Sequence, residues 1–208
     1  AQSSVARIES CKTIPRLDTL LNIFTEAAKY GTEEMIYEYA STSKVTFSGA
    51  GVSCVIASDA NIKELSDDMK VRTIGNDKLN MLRHARFLAP EGKLEEVMRE
   101  HRSILEPKFE LCYKRFGEQL SDIPGVSWTH PNGGYFITLY TPNGTAKRVV
   151  GLAKEAGLVV TPAGSGFPYN VDPDDRTIRI APSYPDLDEL DAALHLLCIC
   201  VKLAAACK

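Results

Sequence analysis

Ser41, Ser43 and Lys44 stand together in a polar, glycine-containing segment, Ser41-Thr42-Ser43-Lys44-Val45-Thr46-Phe47-Ser48-Gly49-Ala50-Gly51. Hydroxyls and unengaged backbone amides in a tight loop are what a dianionic phosphate needs as hydrogen-bond donors. A desolvated lysine loses its proton more easily, and its neutral amine attacks an aldehyde to form a Schiff base. The cluster therefore suits a phosphate-bearing aldehyde held covalently. It equally suits a surface loop with a helix-capping serine, and local spacing alone leaves both readings open. A second candidate is Arg179, on a short apolar run at Thr177–Ala181. A guanidinium offers a planar fork for a carboxylate, although a strand arginine also pairs readily with an acid such as Asp174 or Asp175. Arg176 competes for the carboxylate role but lies on the opposite pleat parity. The four histidines, His84, His101, His130 and His195, lack metal-ligand spacing, and helix-surface or packing roles suit them better.

These residues need elements to hold them. A helix is predicted from about Asp18, as its cap, to Tyr30, with Leu20, Leu21, Phe24, Ala27 and Ala28 on one face and Gly31 as its stop. Strands are predicted over Glu34–Ala40 and Val52–Ala57, on either side of the lysine loop. The second is apolar enough to be covered on both faces. Residues 58–88 read as two helices parted near Thr73-Ile74-Gly75-Asn76. An amphipathic stretch from about Glu91 to Leu120 follows, with Pro107 placed to kink it. Beyond Pro124-Gly125 come strands at Val126–His130 and Gly134–Tyr140, a helix over 145–156 ended by Gly157, and strands at Leu158–Val160 and Thr177–Ala181. A final helix spans Leu187–Ala206, acidic at its start. The order predicts an α/β chain in two parts, residues 1–90 with the lysine loop and residues 91–208 with a long helix and a small α+β domain.

Composition narrows the function classes. The chain has 208 residues, a formal net charge of −3, 44% hydrophobic and 25% charged residues. A chain of this size buries roughly 70% of the surface exposed when unfolded. No basic field invites nucleic acid or an anionic membrane, and no apolar run reaches the roughly 20 residues of a membrane helix. The first residues carry no signal-peptide pattern. The six cysteines form no CxxC pair, and Cys198 and Cys200 sit in an apolar run. A reduced, cytoplasmic setting is expected. Asn143-Gly144-Thr145 matches a glycosylation acceptor formally and reads as a turn.

Five motifs in order resemble one family. Ser41-Thr42-Ser43-Lys44 resembles the S-x-S-K segment of fold-type I aminotransferases, and Tyr39–Ser53 (YASTSKVTFSGAGVS) resembles a bacterial branch of aspartate aminotransferases. Thr73-Ile74-Gly75-Asn76-Asp77-Lys78 and Leu82-Arg83-His84 resemble segments that follow the lysine loop in that branch. Pro131-Asn132-Gly133-Gly134-Tyr135-Phe136 resembles the P-x-G-G-x-F turn, and Gly157–Phe167 (GLVVTPAGSGF) the strand and loop after it. Arg176–Pro182 (RTIRIAP) resembles the strand whose arginine grips the substrate's α-carboxylate. The likeness runs from about Leu17 to the C-terminus. It implies pyridoxal 5′-phosphate as cofactor, with Lys44 as its anchor and proton carrier, Ser41 and Ser43 near it, and Arg179 on the substrate. It implies amino acid and 2-oxo acid substrates, an acidic amino acid by branch, and a homo-oligomer or association with a missing N-terminal half. The fold implied is a remnant of the large-domain sheet plus the C-terminal small domain. Two departures stand out. At Val52 many relatives carry a phosphate-pairing arginine, and the region around Glu9 lacks the D-x-A-Y segment that supplies the acid at the pyridine nitrogen. Alternatives within reach of the same residues are a lyase or decarboxylase of the same fold, and a non-catalytic folded interaction module.

Overall fold

The computed structural model describes residues 17–206, with side chains described from residue 22. Glu9, Cys11 and Cys207 lie outside the described residues. The chain divides into two compact units, residues 1–99 and 100–208. Among the described residues no helix is long and apolar enough to cross a membrane.

In the first unit, α1 spans Leu17–Ala28, so Asp18 falls inside the first turn instead of capping it. Gly31, at φ 64°, ends the turn that follows. A 3-10 turn at Glu33–Met35 takes the start of the predicted first strand, and β1 covers only Glu38–Ser41. It pairs antiparallel with β2, Ser53–Ile56, in the register Glu38↔Ile56 to Ser41↔Ser53. The expected double coverage of the second strand is absent here: Ser53 and Cys54 are exposed, and Val55 and Ile56 are half-buried. Among the described residues β1 and β2 form a two-stranded sheet with no third strand paired to it. Helix α2, Asp59–Arg72, starts where the Ser58 side chain accepts from the Asn61 amide. Helix α3, Lys78–Leu88, starts where the Asp77 carboxylate accepts from the Asn80 amide. Both are side-chain caps that satisfy amides the helix itself leaves unpaired.

Helix α4, Lys93–Leu120, continues through Pro107 and runs from the first unit into the second. In the second unit, β3 (Ser127–Trp128), β4 (Ile137–Tyr140) and β5 (Thr177–Ile180) form an antiparallel sheet in sequence order. Alternation decides its faces: Ile137, Leu139, Ile178 and Ile180 are buried, whereas Arg179 is exposed. Helices α5 (Ala146–Glu155) and α6 (Leu187–Ala206) pack on each other. They complete a core with Cys112, Phe116 and Leu120 of α4. The predicted strand at Leu158–Val160 is not one. Leu158 and Val160 do pack against the core and Val159 is exposed, but among the described residues no strand pairs with them. Alternating burial was legible there; a ladder partner was not.

Cys112, Cys198 and Cys200 are buried. Burial pushes the Cys112 thiol up to about 12 and the Cys198 thiol up to about 11, so both stay protonated and act as small apolar groups. On the rim of this core the Arg115 guanidinium grips both oxygens of Asp191 at 2.5 and 2.6 Å. That fork holds the Asp191 carboxyl below the usual carboxylate range.

Candidate functional site

Lys44 sits in the hairpin loop between β1 and β2. Thr42 closes the base of that loop twice: its amide donates to the Val52 carbonyl at 2.9 Å, and its Oγ1 accepts from the Val52 amide at 2.9 Å. The loop then makes a single helical turn, in which the Val45 and Thr46 amides donate to the Thr42 carbonyl at 2.9 and 3.0 Å. Residues four apart in such a turn share a side, and a residue midway between them faces away. Thr42 and Thr46 accordingly turn inward and are half-buried, while Lys44 is exposed. The Ser41 hydroxyl accepts from the Ser43 amide at 3.1 Å, which joins the two serines in one short turn immediately before Lys44. Past the turn, the chain returns against itself: a Cβ on Gly51 would lie 3.0 Å from the Ser43 Cα. That is a steric reason for glycine at this position.

Helix α3 clamps the loop at both ends. His84, 5% exposed, places Nε2 at 2.7 Å from the Thr46 hydroxyl and 3.2 Å from that of Thr42. The Asn80 side-chain amide donates to the Ala50 carbonyl at 2.8 Å and to that of Gly51 at 3.3 Å. Phe47 fills the space between, its ring centre 5.1 Å from both the His84 and the Phe87 rings, with the Arg83 guanidinium 4.5 Å above it. Spacing did not single out Thr42, Thr46, Asn80 or His84. Thr42 and Thr46 flank the lysine symmetrically, which was the available signal. The Leu82-Arg83-His84 segment marked the helix without giving its target.

Arg179 lies in the second unit, opposite Thr138 in the β4–β5 register. Its guanidinium carbon is 4.6 Å from the centre of the Phe136 ring, so the turn at Pro131–Phe136 and the arginine strand meet. Among the described residues no carboxylate forms an ion pair with Arg179. Asp175 instead accepts from the Lys147 amide at 3.1 Å. Asp172 accepts from the Asp174, Arg176 and Thr177 amides at 3.1, 2.9 and 2.8 Å. Burial disfavours the charge on Asp172, but those donors outweigh it and hold the carboxyl below its usual value. Arg176 faces elsewhere, into a shallow cleft of about 410 Å³ lined also by Ser127, Asp174 and Thr177, with Tyr140 at 5.2 Å. The loop at Gly157–Phe167 holds a second required glycine: Gly164 has φ 81°, and a Cβ there would lie 2.4 Å from the Asn170 carbonyl oxygen.

The donors at the lysine loop fit one end of the cofactor that the resemblance implies. They are one amine for an aldehyde and two short hydroxyls for phosphate oxygens, on an exposed turn held from behind.

The profile of the aspartate amino-transferase family matches residues 12–208. An aspartate aminotransferase of Corynebacterium glutamicum is 42% identical over 176 residues, which is 85% of this chain and 41% of that protein. A solved aspartate transaminase from Corynebacterium glutamicum is 40% identical, with a TM-score of 0.80 over 88% of this chain and 43% of that one. The alpha-aminoadipate aminotransferase of Thermus thermophilus, solved with N-(5′-phosphopyridoxyl)-L-leucine, shares the fold at 22% identity, with a TM-score of 0.70 over 94% of this chain and 47% of that one. The chain spans about two fifths of the length of the curated relatives it matches. The chain belongs to the aspartate amino-transferase family.

Proposed function

We propose that this chain supplies the lysine-bearing part of a pyridoxal-phosphate aminotransferase site that transaminates between an acidic amino acid and a 2-oxo acid. The observation that carries the reading is the exposed Lys44 on a turn braced by β1, β2 and α3, in a chain of this family. Ser41 and Ser43 offer hydroxyl donors to the phosphate. Arg179 holds the substrate α-carboxylate in its fork and so orients the Cα–H bond. Lys44 Nζ takes the proton from Cα and returns it later in the cycle. The cofactor, when bound, supplies the aldehyde that accepts the amino group and the ring that withdraws electrons from Cα.

The exposure of Lys44 favours a composite site, since a Schiff-base lysine works best when desolvated. Either a second copy or a preceding N-terminal half completes the enclosure in this reading, and four unpaired cysteines among the described residues suit a reducing, cytoplasmic setting. The same exposure supports a second reading, a folded module without turnover.

The test is to add pyridoxal phosphate to the pure chain, reduce with borohydride, and map the labelled lysines by mass spectrometry. Label concentrated on Lys44 is expected, with little transamination until the remaining segment is supplied. Label scattered over the surface lysines would sink the cofactor role and leave the module reading.

A further inference from the structure

We propose that His84 is a positioning residue for the lysine loop, setting through its Nε2 atom the turn from which Lys44 projects. The inference rests on the cofactor role of Lys44 for its meaning, but its structural content is independent of that role.

The proton inventory of the ring follows from its neighbours. Nδ1 lies 2.9 Å from the Asn80 carbonyl oxygen, which can only accept, so Nδ1 carries the hydrogen. In the tautomer with that hydrogen on Nδ1, Nε2 offers a lone pair to the Thr46 hydroxyl 2.7 Å away, whose other acceptor within reach is the Thr42 carbonyl at 3.3 Å. The Thr42 hydroxyl stands 3.2 Å from the same nitrogen and at the same time accepts from the Val52 amide. One imidazole thus touches the residues two before and two after Lys44, and through Thr42 it reaches the closing pair of the hairpin.

A histidine that merely filled space would leave its nitrogens to water. This one is buried with both nitrogens engaged, and a buried polar ring held in that way fixes its partners as firmly as they fix it. No carboxylate is among those partners: the ring faces Thr42, Thr46, the Asn80 carbonyl and the Phe47 ring. Because Thr42 and Thr46 share the inner side of one helical turn, holding both determines which way Lys44 points.

Two substitutions separate this role from ring packing. His84→Gln places a side-chain carbonyl near the Nε2 position and can accept from Thr46. His84→Asn reaches only about as far as Nδ1. Both delete the ring and differ in bulk by one methylene, so a pure packing role predicts a small difference spread over the whole Phe47 surround of the ring, not one confined to Thr46 and Val52. Amide hydrogen exchange at Thr46 and Val52 in the full chain is the readout. We expect His84→Gln to stay close to the unsubstituted chain and His84→Asn to exchange about fivefold to tenfold faster, the equivalent of one lost hydrogen bond. Nitrogen-15 spectra of the unsubstituted chain supply a readout that needs no variant to fold: Nδ1 should be the protonated nitrogen. Equal exchange in the two variants, or a proton on Nε2, would overturn the proposal. Failure of Lys44 to take the borohydride label while both readouts hold would sink the cofactor reading and leave the brace intact.

Discussion

The two units of the chain are held by different forces. In the second, Phe116, Leu120, Ile137, Leu139, Ile178 and Val201 are fully enclosed by helices on one face of a three-stranded sheet. In the first, the buried side chains among the described residues are Ser58, Asn61, His84 and Val97. Large apolar groups there, such as Met35, Tyr39, Val71, Ile74 and Leu79, stay exposed. Area removed from water organises one unit, whereas directional hydrogen bonds organise the other: Asn61 to the Glu34 carbonyl, Asn80 to the loop carbonyls, His84 to two threonines. The difference places Lys44 on a scaffold ordered by geometry more than by burial. Such a scaffold is well suited to an aimed side chain and poorly suited to resisting unfolding.

The largest break in that contrast should come from the apolar core. Phe116→Ala empties a fully enclosed site beside Trp128, ring centres 5.6 Å apart. It should cost about 3–5 kcal/mol. Urea unfolding followed by the fluorescence of Trp128, the single tryptophan of the chain, reads it directly. An unchanged midpoint would mean the core is not closed around that ring.

The next effect tests whether the second unit also relies on a polar device. Asp172→Ala leaves three loop amides without their carboxylate and should cost about 1–3 kcal/mol. The folded-state pKa of Asp172 is depressed below 3.8. Its contribution is therefore present above that value and lost as pH falls through the folded pKa. Stability curves of the two proteins should converge in acid below 3.8, and a constant gap across that range would contradict the assignment.

The smallest effect belongs to the exposed apolar groups of the first unit. Ile74 is fully exposed, so Ile74→Ser should alter stability by no more than about 0.5 kcal/mol. It should instead reduce self-association, because an exposed apolar surface of this kind drives contact. Sedimentation checks the second expectation, and a large loss of stability would show that Ile74 is covered in solution.

Much of the second unit was legible from periodicity. The final helix matches its expected bounds, Leu187–Ala206. The alternation of Ile178, Arg179 and Ile180 gave the faces of β5, because one face of an antiparallel sheet on a core must be apolar. Leu158–Val160 misled for the same reason. Alternation reports which side chains meet the core, and that is true of an extended segment with no strand beside it. The strand expected at Val52–Ala57 is present as β2, Ser53–Ile56; only its expected coverage misled, since an apolar run states that coverage is wanted without stating what provides it.

The sequence by itself determined the family, the order of the helices and the candidates Lys44, Ser41, Ser43 and Arg179, because these depend on residue type and short spacing. Only the tertiary structure revealed the brace behind the lysine. His84 is forty residues from Lys44 along the chain, and hydrogen bonds between a helix and a loop that far apart leave no periodic trace. The same holds for the Phe136 ring beside Arg179. Two strands must pair in one register, Thr138 opposite Arg179, before a turn residue and a strand residue can meet.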